Sequence, residues 1–229
     1  MTQLSLTALP RLLQLTSTML PVGAYSYSQG LEYAIEISMV RDADTALAWI
    51  EDVLSVSMAR FEAPMMSRMH AAWQQKNTEQ VLTLNEHFIA SRETAELRAE
   101  TLQMGYSLLR LLEQLDDVPA TQLAALCQQK EVSFPCAYAL ASGAWNIPTA
   151  AAVNAYLWGW LENQVSAAMK CVPLGQVAGQ RILAALGKKL PLLAEKALQL
   201  EDEQLSNFSP MLAILSSKHE TQYSRLFRS

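Results

Sequence analysis

The chain has 229 residues, of which 51% are hydrophobic and 17% charged, with a formal net charge of −5. So much apolar surface calls for a large core, a sizeable interface, or both. The acidic balance excludes general nucleic-acid binding, which needs a basic stripe to neutralise phosphates.

Hydrophobic periodicity is helical nearly throughout, and no run alternates as a strand would. Leu9, Leu12, Leu13 and Leu15 predict a first helix that stops before Pro21-Val-Gly23. A second starts near Ser26 or Ser28, with a serine as N-cap and Leu31, Ala34 and Ile35 on one face. Asp42 or Asp44 caps a third, carrying Leu47, Ile50, Val53 and Leu54. Pro64 marks a new start, followed by Met65, Met66 and Met69. A long helix is expected over residues 78–115, ended by Asp116, Asp117 and Pro119.

Further helices are expected over residues 121–130, 135–145, 149–169, 176–186 and 191–200. A polar connector over residues 201–209 leads to Pro210, which opens a last helix running into the tail. The fold class is therefore all-α: one domain of about nine or ten helices over residues 1–229, without linker or repeat. Residues 132–161 carry no charge, but Pro135, Asn146, Pro148 and Asn154 interrupt them. A membrane span wants about 20 strongly apolar residues in a row, so two buried helices broken at Asn146-Ile147-Pro148 fit better.

Cys127, Cys136 and Cys171 are odd in number and widely spaced. They read as buried thiols in a reducing compartment. The first residues lack a positive n-region, so no signal peptide is expected. No phosphate-binding glycine loop is present. Gly175 and Gly179 stand at small-x-x-x-small spacing, which suits close helix approach. His70, His87 and His219 lie far from metal-ligand spacing, no Cys-x-x-Cys occurs, and no base neighbours Cys136. No catalytic residue, metal ligand or cofactor is expected.

Four segments remain. In Leu20-Pro-Val-Gly-Ala-Tyr-Ser-Tyr-Ser-Gln-Gly-Leu-Glu32, Pro21 and Gly23 set a turn, after which Tyr25, Ser26, Tyr27, Ser28 and Gln29 present polar tips. They form either a helix cap with half-buried tyrosines or a contact surface. Ser91-Arg-Glu-Thr-Ala-Glu-Leu-Arg-Ala-Glu-Thr101 pairs Arg92 with Glu96 at i, i+4, as on a solvated helix face. In Lys170-Cys-Val-Pro-Leu-Gly-Gln176, Pro173 and Gly175 break a helix. Lys170 then either caps the dipole or faces a partner. The tail His219-Glu-Thr-Gln-Tyr-Ser-Arg-Leu-Phe-Arg-Ser229 carries Tyr223, Leu226 and Phe227 between Arg225 and Arg228. A chain end of that composition docks, on its own body or on a partner.

Taken together, these four segments resemble the UreF family of urease accessory proteins, in the family's order and across the whole chain. Ala24 departs from the second glycine of many relatives. The resemblance implies an all-α, cytoplasmic, homodimeric protein that is not an enzyme. It helps nickel insertion into urease apoprotein by bridging the UreD (UreH) scaffold and the nickel-carrying GTPase UreG. By position, it makes residues 217–229 a UreD-docking tail, either loose until it binds or already ordered in the free chain, with Arg225 as the main contact and Tyr223, Phe227 and Arg228 around it. Glu32 and Lys170 become acidic and basic contacts on a UreG-facing surface framed by Tyr25, Ser26 and Ser28. An alternative role is to activate or gate the GTPase, with Arg92 or Arg98 as an arginine supplied in trans.

Overall fold

The computed structural model describes residues 3–229, and no strand occurs among them. Twelve helical segments follow in order: α1 Leu9–Thr16, α2 Leu31–Glu36, α3 Ala43–Val53, α4 Ala63–Gln74, α5 Thr78–Ala90 and α6 Ala95–Leu115, then α7 Ala120–Cys127, α8 Phe134–Ala144, α9 Thr149–Cys171, α10 Gln176–Gly187, α11 Leu190–Gln199 and α12 Pro210–His219. The all-α expectation holds.

The uncharged run explains the centre. Every residue of α8 from Pro135 to Ser142 is buried, and α4 buries Met65, Met66, Met69 and Trp73. These two helices pack on each other, with α6, α5 and α9 around them. Each large apolar side chain so buried contributes about 1.5–3 kcal/mol over its exposed state. One hydrophobic core runs from Ala8 to Phe227. The predicted break lies at Asn146, whose φ of 54° is left-handed, between α8 and α9. No helix of the described residues is long and apolar enough to cross a membrane.

Four expectations need correction. Pro64 does not start a new helix: α3 continues through a π-helical stretch, Leu54–Glu62, straight into α4. Proline lacks a donor and crowds the carbonyl four residues back, so the wider turn absorbs it. The Arg60 carbonyl instead accepts from the Ser206 amide at 3.2 Å.

The helix expected over residues 78–115 is two helices, broken at Ser91–Thr94. Thr94 is extended, and its hydroxyl accepts from the Leu97 amide at 3.2 Å, an N-cap that periodicity alone hides. The second helix starts at Leu31, after a 3-10 turn at Ala24–Ser26, rather than at Ser26 or Ser28. The thiols are also not uniformly buried: Cys136 is, Cys171 is half-buried, and Cys127 is exposed at the end of α7.

Glycine permits two close approaches. A Cβ on Gly105 in α6 would collide with the Val132 carbonyl, and one on Gly179 in α10 with the Met169 thioether of α9. The second contact is the close helix approach that the Gly175–Gly179 spacing suggests.

Candidate functional site

The segment joining α1 to α2 is shaped to receive the last residues of the chain. Gln29 and Gly30 are successively left-handed, with φ of 53° and 79°. A Cβ at Gly30 would stand 3.0 Å from the Ser216 amide nitrogen, so glycine also lets α12 approach. The turn points the Ser28 and Gln29 amides at one oxygen, the Ser229 carbonyl, which they reach at 2.6 and 3.2 Å. The Ser28 hydroxyl donates to the same oxygen at 2.5 Å, and the Arg228 amide donates to the Ser26 carbonyl at 2.8 Å.

Beside this strand-like pairing lies a chain of charges. Glu32, in the first turn of α2, accepts from the Leu226 amide at 2.6 Å and the Phe227 amide at 2.9 Å. Its Oε2 also lies 3.0 Å from Nε2 of His219, the last residue of α12. The other ring nitrogen, Nδ1, lies 2.8 Å from Glu96 Oε2, and Arg225 donates to Glu96 Oε1 at 2.8 Å. His219 is fully buried, and the Glu32 and Glu96 side chains are only 10% exposed. Such a chain is favourable only when every member is satisfied, which Glu32, His219 and Glu96 achieve through one another.

One turn after Glu96, Glu100 accepts from the Ser229 hydroxyl at 3.0 Å and the Gln29 side-chain amide at 2.8 Å. The Gln29 carbonyl oxygen in turn accepts from the Trp160 indole at 2.8 Å. Burial pushes the Glu100 carboxyl up to about 7, Glu62 adds to the rise, and Gln29, Ser229 and Arg92 oppose it. Glu100 borders a partly open pocket of about 80 Å³ that Glu62, Arg92, Tyr138, Tyr156 and Asn163 also line. Arg92 donates to Glu62 at 2.6 Å, and the Tyr156 hydroxyl donates to the other Glu62 oxygen at 3.0 Å. Burial drives the Tyr156 phenol well above its ordinary range, reinforced by Glu62. Arg92 Nε, the Tyr138 hydroxyl and Asn163 Oδ1 have no protein partner among the described residues. The cavity volume matches two or three waters, which would satisfy them.

The sequence-predicted residues fall around this docking site. Ser28 and Glu32 are buried beneath the tail, and Phe227 is 5% exposed. The Lys170 ammonium, in the last turn of α9, lies 5.3 Å from the Phe227 ring. Lys170 therefore meets the tail as well as the helix end. Ser26 contributes its carbonyl. Arg225 and Arg228 lie at the surface, and Tyr223 is fully exposed. Tyr25 turns the other way: its hydroxyl donates to Glu162 at 3.3 Å, and burial, then Glu162, pushes its phenol up to about 12.

The face expected to be solvated is not. Arg92 pairs with Glu62 rather than Glu96, and its side chain is 5% exposed. The sequence patterns do not single out His219, Glu96, Glu100 and Gln29 as a set, because they lie on three separate elements. The one local signal is Thr94 as a cap, which rotates Glu96 and Glu100 inward.

No group of three or more histidine, cysteine or acidic side chains among the described residues is arranged to hold a metal ion. His70 is buried against the Ile147 carbonyl and the Thr149 hydroxyl, and burial lowers its ring pKa. Arg98 is tied to Glu131 at 2.7 Å and to the Ile89 carbonyl at 3.2 Å.

The UreF family model matches residues 40–187, more than half of the chain. A urease accessory protein UreF from Azoarcus sp. (strain BH72) is 58% identical over 222 residues, covering 96% of this chain and 94% of the relative. The protein of the same name from Methylobacillus flagellatus is 55% identical over 225 residues, covering 97% and 98%. That from Dechloromonas aromatica is 51% identical over 222 residues, covering 96% and 97%. With a matching family model and relatives this similar along nearly their whole length, the chain belongs to the UreF family of urease accessory proteins.

Proposed function

We propose that the chain is a non-enzymatic adaptor for nickel insertion into urease, docking the UreD (UreH) scaffold with its C-terminal segment and the GTPase UreG with a neighbouring surface. The observation that carries this reading is the presentation of the tail. Phe227 and Ser229 are buried anchors, while Tyr223 at 105% and Leu226 at 64% stand in solvent between them and α12. Exposed apolar and aromatic groups on a rigidly held segment are what a partner's contact patch needs. Phe208, Met211 and Ile214, at 73%, 48% and 54% exposed, extend the apolar surface along α12 and its approach.

In this reading Arg225 contacts UreD while Glu96 orients it, and Arg228 flanks it. Lys170 supplies a surface cation toward UreG, and the buried Glu32 positions the tail beside it. Tyr25, Ser26 and Ser28 hold the loop that frames this surface. A homodimer in the cytoplasm is part of the same proposal. A trans-acting arginine is not favoured, since Arg92 is buried on Glu62 and Arg98 is tied to Glu131.

Co-purification tests the proposal. The chain should retain UreD and UreG together, with urease apoprotein joining the complex. Failure to hold either partner at micromolar concentration would sink it.

A further inference from the structure

Gln29 joins the body of the protein to its last residue. Its side-chain amide spans two helices: Nε2 donates to Glu100 Oε1 of α6 at 2.8 Å, and Oε1 accepts from the Trp160 indole of α9 at 2.8 Å. An indole only donates and an ionised carboxylate only accepts, so the amide has one orientation here. A carboxylate in its place could not donate to Glu100, and an ammonium could not accept from Trp160. The same residue reaches the tail twice. Its backbone amide donates to the Ser229 carbonyl at 3.2 Å, and the carboxylate that it holds takes the Ser229 hydroxyl on its other oxygen at 3.0 Å.

The backbone of Gln29 is equally specific. Five non-glycine residues among those described have positive φ. Ser38, Lys76, Asp116 and Asn146 each lie within two residues of the end of a helix, namely α2, α4, α6 and α8. Left-handed residues commonly close helices in this way. Gln29, with φ of 53°, instead stands two residues ahead of α2, so no helix end accounts for it. A residue with a side chain keeps such a conformation only where its surroundings over-determine it, and residues of this kind gather at binding sites. Here the Glu100 and Trp160 contacts hold the conformation, and its result is that the Ser28 and Gln29 amides converge on one Ser229 oxygen.

We propose that Gln29 is a positioning residue that seats residues 226–229 before any partner arrives. Its side chain fixes the Glu100 carboxylate and the left-handed turn together. Phe227 and Ser229 are then anchored, while Tyr223, Arg225 and Leu226 stand out for contact. A segment already held in place loses little conformational freedom on binding, which raises affinity. The consequence for UreD rests on the adaptor reading; the seat itself rests on contacts within one chain.

Hydrogen–deuterium exchange of the isolated full chain and titration with UreD, run on the same variants, test it. Gln29→Gly removes the side chain and suits the left-handed backbone, so the melting temperature should hold within a few degrees. Protection of the Leu226, Phe227 and Arg228 amides should fall about tenfold, while α8 amides such as Leu140 keep theirs, and UreD affinity should fall about tenfold with it. Gln29→Glu sets two carboxylates face to face and should lose at least as much. Gln29→Glu/Glu100→Gln exchanges acceptor and donor, still serves Trp160 and Ser229, and should restore protection to within about threefold of wild type. Unchanged tail protection in Gln29→Gly would overturn the proposal, as would an equal loss in α8 or no recovery in the exchanged pair. Should either Gln29→Glu variant fail to fold, Gln29→Gly beside wild type decides. If tail protection falls as expected but the wild-type chain does not bind UreD at micromolar concentration, the adaptor reading fails and the seat stands.

Discussion

Glu32 and Phe227 lie 195 residues apart in sequence, and the Phe227 amide donates to Glu32 Oε2 at 2.9 Å. The same carboxylate holds the Leu226 amide and faces His219, so one buried side chain joins α2, α12 and the tail. Glu32→Ala should lower stability by about 3 kcal/mol, since charge-assisted hydrogen bonds are worth about 1.5–3 kcal/mol each. Glu32→Gln, which keeps an acceptor, should lose less. Urea unfolding of the two variants side by side checks the order.

Arg92→Ala leaves Glu62 buried with only the Tyr156 hydroxyl. Removing one partner of a buried pair costs about 3–5 kcal/mol, and that loss is expected here. Arg92→Lys restores the charge but not the fork that spans Glu62 and Asn207, and should fall between. Denaturant midpoints at constant slope report both.

Lys170→Ala removes a surface cation over the Phe227 ring and one favourable charge at the end of α9. Each effect is worth under about 1 kcal/mol at the surface. Melting temperature should therefore move little, while UreG retention and urease activation drop severalfold. Equal losses in stability and coupling would leave Lys170 a capping residue.

Tyr223→Ala should leave stability within about 0.5 kcal/mol, because the side chain is fully exposed. UreD retention should weaken at least tenfold. Unchanged retention would remove Tyr223 from the contact.

Gly105→Ala places a methyl group against the Val132 carbonyl and the Ser133–Phe134 backbone. The crossing is pinned there by the Ser133 amide on Asn85 and the Phe134 amide on Thr101. Overpacking of this kind costs about 1–3 kcal/mol, readable as a lower melting temperature.

Much of the architecture is legible along the chain. The uncharged run over residues 132–161 becomes α8 and the start of α9, because residues without a polar face must go inside. Pro210 opens α12, and Pro173 with Gly175 separates α9 from α10, since both residues act on their own backbone. Misreadings occur where a distant group supplies the reason. The helix continues past Pro64 because Ser206 serves the Arg60 carbonyl. The break at Ser91–Thr94 is braced by Asn207, which donates to the Ser91 carbonyl, and by Ser216 on the Thr94 hydroxyl.

The sequence by itself determined the all-α class, most helix limits, the family and the fact that the sticky last residues must dock. Those follow from periodicity, local caps and motif strings, which act over a few residues. Only the tertiary structure decided where the tail goes and what holds it. His219, Glu32, Glu96 and Glu100 lie on α12, α2 and α6, and each looks alone like a surface charge or a lone histidine. Burial makes them a site: a charge taken out of water must be matched by another, and the matching partner is set by packing rather than by spacing along the chain.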